Sequence, residues 1–279
     1  MLSIIYGLSA ALGWGAGDFT GGLAARKTGA FRSVFYASVI GALFILAVVL
    51  FVGEPFPARG PITMALIAGM AGATGLLLLY HSMTLGLMSI AAPVSALLAA
   101  SLPVVVSMFT EGLPSPTTFL GFGFALFAVW MISQSEYGVT NIIAHLTDLK
   151  LPLLAGIGFG SYFVLMHEAT RAATFWPMVI SRCAGIALIG MVLMFRRESW
   201  KVNTGSWTMI MLNGFLDVTG NIFFILAGQS GRLDVASVLS SLFPGATVLL
   251  AWIFLKERLS RNQWIGILSA LAAIVLMTM

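Results

Sequence analysis

Apolar residues fill this chain in runs of about 20, and short segments with charges, prolines and glycine clusters separate them. The runs show no alternation with a period of two, so they predict helices rather than strands. A helix of about 20 apolar residues is long enough to cross the hydrocarbon core of a bilayer. Ten segments of this kind are predicted, at residues 3–25, 32–52, 61–85, 88–110, 117–134, 151–171, 175–195, 206–229, 233–255 and 262–278.

The polar connections between these segments divide the chain into two units. The third and fourth segments form one long apolar stretch, and we divide it at residues 85–87 because about 50 residues are too many for one crossing. The longest polar connection lies near the middle of the chain. The prediction is therefore a first five-helix unit over 1–134, a connecting loop at 135–150 and a second five-helix unit over 151–279.

The two units repeat each other when the sequence is shifted by 145 residues. Matched glycines and polar residues carry this alignment, because apolar helices share Leu and Ala by chance. The main matches are Gly13 with Gly158, Gly15 with Gly160, Arg26 with Arg171, Gly69 with Gly214, Gly75 with Gly220 and, after one inserted residue, Glu111 with Glu257. A copied unit with five spans enters the membrane from the opposite side, so inverted repeats are predicted. Such repeats are typical of secondary transporters, although a duplication without a present mechanism remains the alternative.

Composition supports a lipid environment. Hydrophobic residues make up 59% of the 279 residues, charged residues make up 9%, and the mean hydropathy is +1.01. A soluble domain carries roughly 25% charged residues, so the predicted partner is the lipid bilayer and the fold class is an all-α membrane protein. The net charge of +4 is spread over short loops, which excludes a nucleic-acid surface. The single cysteine, Cys183, allows no internal disulfide.

The basic loop residues suggest an orientation, because cytoplasmic loops carry an excess of Lys and Arg. With ten spans, ten basic residues fall on one side and three on the other, which predicts both termini outside the cytoplasm. The first group is Arg26, Lys27, Arg32, Lys150, Arg196, Arg197, Lys201, Lys256, Arg258 and Arg261, and the second is Arg59, Arg171 and Arg232. The predicted location is the cytoplasmic membrane.

Three motifs resemble those of the EamA family of the drug/metabolite transporter superfamily, in the same order along the whole chain. They are Trp14-Gly15 with Asp18-Phe19 and Gly21-Gly22, then Gly158-Phe159-Gly160, and then Lys256-Glu257-Arg258-Leu259. The resemblance implies ten spans as five plus five, and export or uptake of metabolites such as amino acids without covalent chemistry. It also implies termini in the cytoplasm, so the orientation stays open.

Asp18 is the first of the ionisable candidates inside a span, where a charge is expensive and indicates function by default. It follows three glycines, which allow another helix to approach closely. A carboxylate here could bind a proton, a cation or the ammonium group of a substrate. The alternative is a residue near the interface that caps a helix or pairs with Arg26 or Lys27.

Asp217 lies in the middle of the eighth segment with Asn213 four residues before it and Asn221 four residues after it. Residues at this spacing share one helix face. A polar stripe in hydrocarbon must face protein or water. The stripe is therefore predicted to line a substrate cavity, with an interhelical hydrogen-bond seam as the alternative.

Two further polar positions are candidates for binding or for structure. His81, next to Tyr80, could donate a hydrogen bond or titrate near neutral pH, but a lone histidine is more often a packing residue. Arg182 cannot lose its proton and needs a partner. We expect a structural ion pair of Arg182 with Asp217 or Glu168, or extension of its side chain to the interface.

Aromatic residues and prolines complete the candidate set. Six aromatic residues could flank a solute, although aromatics also face lipid; they are Trp14, Tyr36, Tyr80, Phe159, Tyr162 and Phe224. Prolines free backbone carbonyls and bend helices. The predicted gating bends are Pro93, Pro103 and Pro244.

A secondary transporter of a small metabolite, with an amino acid or related solute exported by alternating access, is the function that these observations favour. A channel or facilitator is the alternative, and a membrane-embedded enzyme is less favoured because no HExxH motif or paired metal-spaced aspartates occur. No cofactor or metal is predicted, and an ATP-binding GxxxxGK[ST] motif is absent. A coupled proton or cation is a further candidate partner. Substrate identity, transport direction and oligomeric state are not fixed by the sequence.

Overall fold

The structure is a computed structural model of the chain, and it describes residues 1–82, 88–133, 150–197, 199–256 and 259–278. The side chains of Tyr80 and of residues 88–93 also lie outside the description. All regular secondary structure in the described residues is helical, which confirms the all-α class. The division at residues 85–87, most of the connecting loop at 135–150, and Glu257 and Arg258 of the family motif fall outside the described residues.

The described residues form eleven α-helices and one short 3₁₀ helix, Thr204–Ser206. The α-helices are α1 (Leu2–Thr28), α2 (Ala30–Val52), α3 (Arg59–Ser82), α4 (Met88–Thr110), α5 (Pro116–Ser133), α6 (Lys150–Ala169), α7 (Phe175–Phe195), α8 (Trp207–Gln229), α9 (Leu233–Ser240), α10 (Phe243–Leu255) and α11 (Arg261–Thr278).

Seven segments in the described part of the chain are long and apolar enough to cross a membrane. They comprise α2, α3, α6, α7, α8 with its preceding 3₁₀ turn, the segment of α9 and α10 together, and α11. Residues 94–110 and 116–132 form shorter apolar helices. Helix α1 is not among the seven, since its glycines and Asp18 lower its hydropathy. The chain is therefore a multi-pass membrane protein, and the count of ten spans stays a prediction.

The predicted segment at 233–255 is long and apolar enough to cross a membrane, and it consists of two helices, α9 and α10. Ser241 and Leu242 form a turn between α9 and α10, and Pro244 occupies the first turn of α10. Proline has no N–H to donate, and its ring clashes with the carbonyl four residues earlier, so it is favoured only at a helix start. Pro103 lies inside α4 without interrupting it. The side chain of Pro93 lies outside the described residues.

The two halves pack against each other through glycines that let helix backbones touch. Helix α1 crosses α8 so closely that a Cβ added to Gly13 would lie 2.9 Å from the Cα of Gly220. Helix α6 crosses α3 in the same way, with 3.0 Å between a Cβ added to Gly158 and the Cα of Gly75. These two contacts are related by the shift of 145 residues.

Helices α5 and α11 show the same reciprocity across their shared contact. A Cβ at Gly121 would lie 3.2 Å from the carbonyl oxygen of Ala273, and one at Gly266 would lie 3.0 Å from that of Ala128. The Ser269 hydroxyl donates to the carbonyl of Phe124, 145 residues away in the sequence, at 2.8 Å. A shift of 145 residues therefore converts the contact of Gly121 with Ala273 into the contact of Gly266 with Ala128. This supports the repeat, while its inversion across the membrane stays a prediction.

Two faces of the helix bundle can be distinguished by the loops that meet there. The N-terminal face is the one at which α1 begins, and it contains the loops 53–58, 111–115, 170–174 and 230–232. Gly231 packs against Ser3 at this face, with 2.7 Å between a Cβ added to Gly231 and the Ser3 Cβ. At the opposite face, Arg32 donates to the carbonyl of Lys201 at 2.9 Å.

A glycine substitution tests the reciprocal packing. Gly158→Ala is expected to lower the thermal unfolding temperature, because the new methyl group would lie 2.7 Å from the carbonyl oxygen of Ala71. Gly22→Ala is the matched control, since it makes the same gain in helix propensity, roughly 1 kcal/mol, and nothing lies within 4 Å of its Cβ. Equal melting temperatures for the two variants in detergent would contradict the close crossing of α6 and α3.

Candidate functional site

A charged cluster lies between helices of both halves. The guanidinium of Arg182 on α7 forms a hydrogen-bonded ion pair with the carboxylate of Asp217 on α8. The Arg182 side chain is 12% exposed and that of Asp217 is 41% exposed. Asp18 on α1 is close enough to Asp217 for the two carboxyl groups to interact electrostatically. The ion pair of Arg182 with Asp217 therefore has a second acid, from another helix, near Asp217.

The cluster lies deep within its helices. Asp217 is ten residues after the start of α8 and twelve before its end, which corresponds to about 15 Å and about 18 Å along the helix axis. Asp18 is ten residues before the end of α1, also about 15 Å. Both carboxyl groups are therefore far from either end of their helices.

Glycines on α1 and α2 make room for the cluster. A Cβ added to Gly17 would lie 3.4 Å from the Asn213 side-chain oxygen, and one at Gly21 would lie 2.5 Å from its amide nitrogen. A Cβ at Gly41 of α2 would lie 3.1 Å from the Arg182 guanidinium. The glycines noted in the sequence thus serve close packing beside the polar residues.

The asparagine stripe on α8 divides into two environments. Asn221 is 6% exposed, accepts a 2.8 Å hydrogen bond from the Tyr162 hydroxyl and donates at 2.7 Å to the carbonyl of Asp217. The first of these bonds joins α6 to α8, as in an interhelical seam, and the second lies within α8. Asn213, two turns away on the same face, is half-buried against α1. The sequence placed Tyr162 among the aromatic residues that could flank a solute, but it did not predict this hydrogen bond, because nothing in it indicates that α6 meets Asn221.

Asp18 differs from the other charged members of the cluster. Among the described residues, its carboxylate has no hydrogen-bond or ion-pair partner. Its side chain is exposed. Asp18 is therefore the acid of the cluster that is not held in an ion pair.

An aromatic cluster lies beside the charged one, on the side of the N-terminal face. Trp14, one helical turn before Asp18, packs with Phe163, Phe224 and Phe243 at centroid distances of 5.5, 5.7 and 6.3 Å. Trp14 thus contacts rings of α6, α8 and α10 at the centre of the bundle. This layer separates the charged cluster from the N-terminal face.

The other predicted site residues lie elsewhere. His81 is the penultimate residue of α3 and is exposed, so it is near a helix end rather than in the charged cluster. Phe159 packs on Gly75, with 3.3 Å between a Cβ added to Gly75 and the Phe159 ring.

Glu168 pairs with Arg171, three residues later in the chain, at 2.8 Å. The alternative pairing of Arg182 with Glu168 therefore does not occur in the structure. The Tyr80 side chain lies outside the description.

A loop glutamate that the sequence did not single out binds the start of α7. Glu54, between α2 and α3, accepts hydrogen bonds from the backbone N–H groups of Thr174, Phe175 and Trp176 at 2.6, 2.9 and 2.8 Å. Its partners are about 120 residues away, so no local pattern indicates this contact.

A second loop glutamate, Glu111, links the halves at the same face. It accepts a 3.2 Å hydrogen bond from the backbone N–H of Leu233, and His167 lies 3.8 Å away. Arg232 donates to the carbonyls of Glu111 and Gly112 at 3.1 and 2.6 Å. Hydrogen bonds to Asp234 raise the pKa of the Arg232 guanidinium, so this clamp remains charged.

A groove of about 540 Å³ opens beside these glutamates at the N-terminal face. Its walls come from the loop after α6, the end of α8 and Glu54, and they carry charged and hydrogen-bonding groups such as His167 and Gln229. Within the described part of the chain, no group of three or more His, Cys, Asp or Glu residues is arranged to hold a metal ion.

Comparison with known proteins gives one relative over nearly the whole length and one over a shorter stretch. A Lactobacillus johnsonii protein named "Putative ribose uptake protein RbsU" is 24% identical, over 98% of this chain and 96% of its own. An uncharacterized solute carrier family 35 member of Schizosaccharomyces pombe is 34% identical over 30% of this chain and 15% of its own. A solved crystal structure superposes with a TM-score of 0.83 at 19% identity, covering 99% of this chain and 98% of the other, and therefore has the same fold.

The fold and the cluster together define a class, the multi-pass α-helical membrane proteins with a polar site between two packed halves. Residues 149–279 match the model of the EamA-like transporter family. The second half of the chain belongs to that family, and the resemblance inferred from the sequence is confirmed. The chain is accordingly a membrane transporter of small solutes.

The ion pair between Arg182 and Asp217 generates a stability prediction. Asp217→Asn is expected to lower the free energy of unfolding by on the order of 2 kcal/mol. This lies between the roughly 1 kcal/mol of an exposed pair and the roughly 3–5 kcal/mol of a fully buried one. The double variant with Arg182→Gln should recover most of the loss, because no uncompensated charge is left. A thermal melt of the purified proteins measures this, and an Asp217→Asn protein as stable as the unsubstituted chain would contradict it.

Proposed function

We propose that the chain is a secondary transporter that carries a small polar organic solute across the cytoplasmic membrane by alternating access. The observation that supports this most is the Arg182–Asp217 pair with the unpaired carboxylate of Asp18 beside it, far from the helix ends. A charged residue at the centre of a membrane helix costs roughly 2.5–3.5 kcal/mol on insertion scales. Such residues face the bundle interior or a water-filled pathway and mark transport routes.

The chemistry of the cluster favours an amino acid or a related solute. Arg182 and Asp217 compensate each other, and the remaining carboxylate of Asp18 leaves the site with a net negative charge. A substrate ammonium group or a coupling proton would neutralise that charge. We propose export as the direction, following the family likeness.

A sugar is the second candidate solute. The relative named for ribose uptake aligns with nearly the whole chain, and amide and carboxylate groups such as those of Asn213 and Asp18 can bind hydroxyl groups. The flux experiment therefore includes both classes of solute.

The aromatic layer favours a carrier over a channel. Trp14, Phe163 and Phe224 fill the centre of the bundle between the charged cluster and the N-terminal face. A channel needs a continuous path in its open state, whereas a carrier closes one side at a time. The two halves form reciprocal contacts, so each half can adopt the conformation of the other. Such an exchange would open the closed face and close the opposite one, which gives the two states of a carrier.

The direct test is solute flux in proteoliposomes that contain the purified chain. Radiolabelled amino acids and pentoses are loaded outside, with an unlabelled excess of the same solute inside. Saturable counterflow of one solute supports the proposed carrier. Unsaturable conductance indicates a channel, and flux equal to that of protein-free liposomes for every solute in the panel would overturn the proposal.

Asp18 should affect transport more than it affects folding. Asp18→Asn is expected to reduce the initial rate of counterflow at least about tenfold, because the neutral amide takes up no proton near neutral pH and lacks the negative charge that attracts an ammonium group. Its thermal unfolding should stay close to that of the unsubstituted chain, since no ion pair is broken.

The control for that substitution is Glu168→Gln, which removes an acid from an exposed pair with Arg171. This variant should transport at an unchanged rate. Full counterflow by Asp18→Asn at equal protein density in the liposomes would remove Asp18 from the mechanism.

A further inference from the structure

We propose that Glu54 is a positioning residue of the transport cycle, which holds the start of α7 against the first half of the chain and so keeps the N-terminal face closed. This assignment rests on the proposed function and extends it to a contact outside the charged cluster. It follows from the contacts of Glu54, from their position between the halves, and from what α7 carries.

The Glu54 carboxylate satisfies the free end of a helix. The first N–H groups of an α-helix have no acceptor within the helix, and Glu54 accepts from those of Thr174, Phe175 and Trp176. A carboxylate is favoured there because the helix N-terminus carries a partial positive charge. The Trp176 indole N–H also donates to the Glu54 carbonyl at 2.9 Å, so side chain and backbone of Glu54 both bind α7.

The origin of this cap distinguishes it from an ordinary one. A helix N-cap normally comes from the residue just before the helix, but Thr174, which has that position, makes no side-chain cap hydrogen bond. The acceptor comes instead from the first half of the chain. Gly53 ends α2 with a φ of +69°, a conformation that favours glycine, and directs the chain toward α7. Separation of the halves at this face would leave three N–H groups without their acceptor.

Helix α7 connects this clamp to the charged cluster. Arg182 lies seven residues after Phe175, about 10 Å further along the same continuous helix. A displacement of the start of α7 therefore moves Arg182 relative to Asp217. Glu54 thus couples closure of the N-terminal face to the position of the guanidinium, while Glu111 holds α9 at the same face.

Cysteine accessibility tests the clamp without any solute. In a Cys183→Ser background, Ala10→Cys places a thiol on α1, one turn from Trp14 toward the N-terminal face, at a position that is 0% exposed. A membrane-impermeant methanethiosulfonate is added to each side of the vesicle in turn, and the rate of modification is measured by mass spectrometry. Glu54→Gln removes the charge and keeps the size of the side chain.

Modification is expected to be about tenfold faster in Glu54→Gln than in the Ala10→Cys parent, from one side only, because charge-assisted hydrogen bonds that hold the face closed are lost. Glu54→Asp keeps the charge on a shorter side chain and should give an intermediate rate. Glu168→Gln, which removes an acid from the same face without breaking a contact between halves, should match the parent.

Equal rates in Glu54→Gln and Glu168→Gln, or no rescue by Glu54→Asp, would overturn the assignment. If Glu54→Gln is not monodisperse on size-exclusion chromatography, the comparison of Glu54→Asp with Glu168→Gln decides, and equal rates there overturn it. The measurement also separates the two proposals. Faster modification without flux of any solute contradicts the transport function alone, whereas flux with unchanged modification contradicts the role of Glu54 alone.

Discussion

The compensation of charge inside an apolar bundle is the constraint on which the rest of this structure depends. Only 9% of the residues are charged, so surface ion pairs contribute little to the stability of this chain. Each charge inside the helix bundle must have an oppositely charged partner or contact water. Arg182 and Asp217 meet this requirement directly, while Asp18 has an exposed side chain. The position of Arg182 relative to α8 is thus set by electrostatics as well as by packing.

Close packing makes that approach possible. Without a hydrophobic driving force in lipid, helices associate through small residues that bring backbones near one another. Gly13 against Gly220 and Gly158 against Gly75 provide this at two places. The contacts give the crossing of the halves a rigid centre. The hydrogen bonds of Glu54 and Glu111 then act at the periphery, where backbone groups at helix ends can exchange their partners with less cost.

Much of the helical layout could be predicted from the sequence, because the length and hydropathy of a membrane helix are local properties. The matched glycines indicated the repeat, and the structure adds that they are sites of contact between the halves. Pro244 was predicted from the sequence as a bend, but the turn that ends α9 before it could not be located, since the surrounding residues are as apolar as those of a continuous span. The partners of Glu54 and Tyr162 could not be found in this way, because they are 120 and 59 residues distant in the sequence. The pairing of Arg182 with Asp217 was one of several that the sequence allowed, and it is realised because α2 packs against both α7 and α8.

The charged cluster has no counterpart in the other half of the chain. A shift of 145 residues places Phe163 where Asp18 stands, Ala37 where Arg182 stands and Gly72 where Asp217 stands. The two halves therefore contain two equivalent sets of positions. One set carries the charged cluster, and the other set carries Phe163, Ala37 and Gly72. A carrier of the kind that we propose would bind one solute per polypeptide, and its two conformations would differ in energy because the sequence on either side of the pseudo-axis is different.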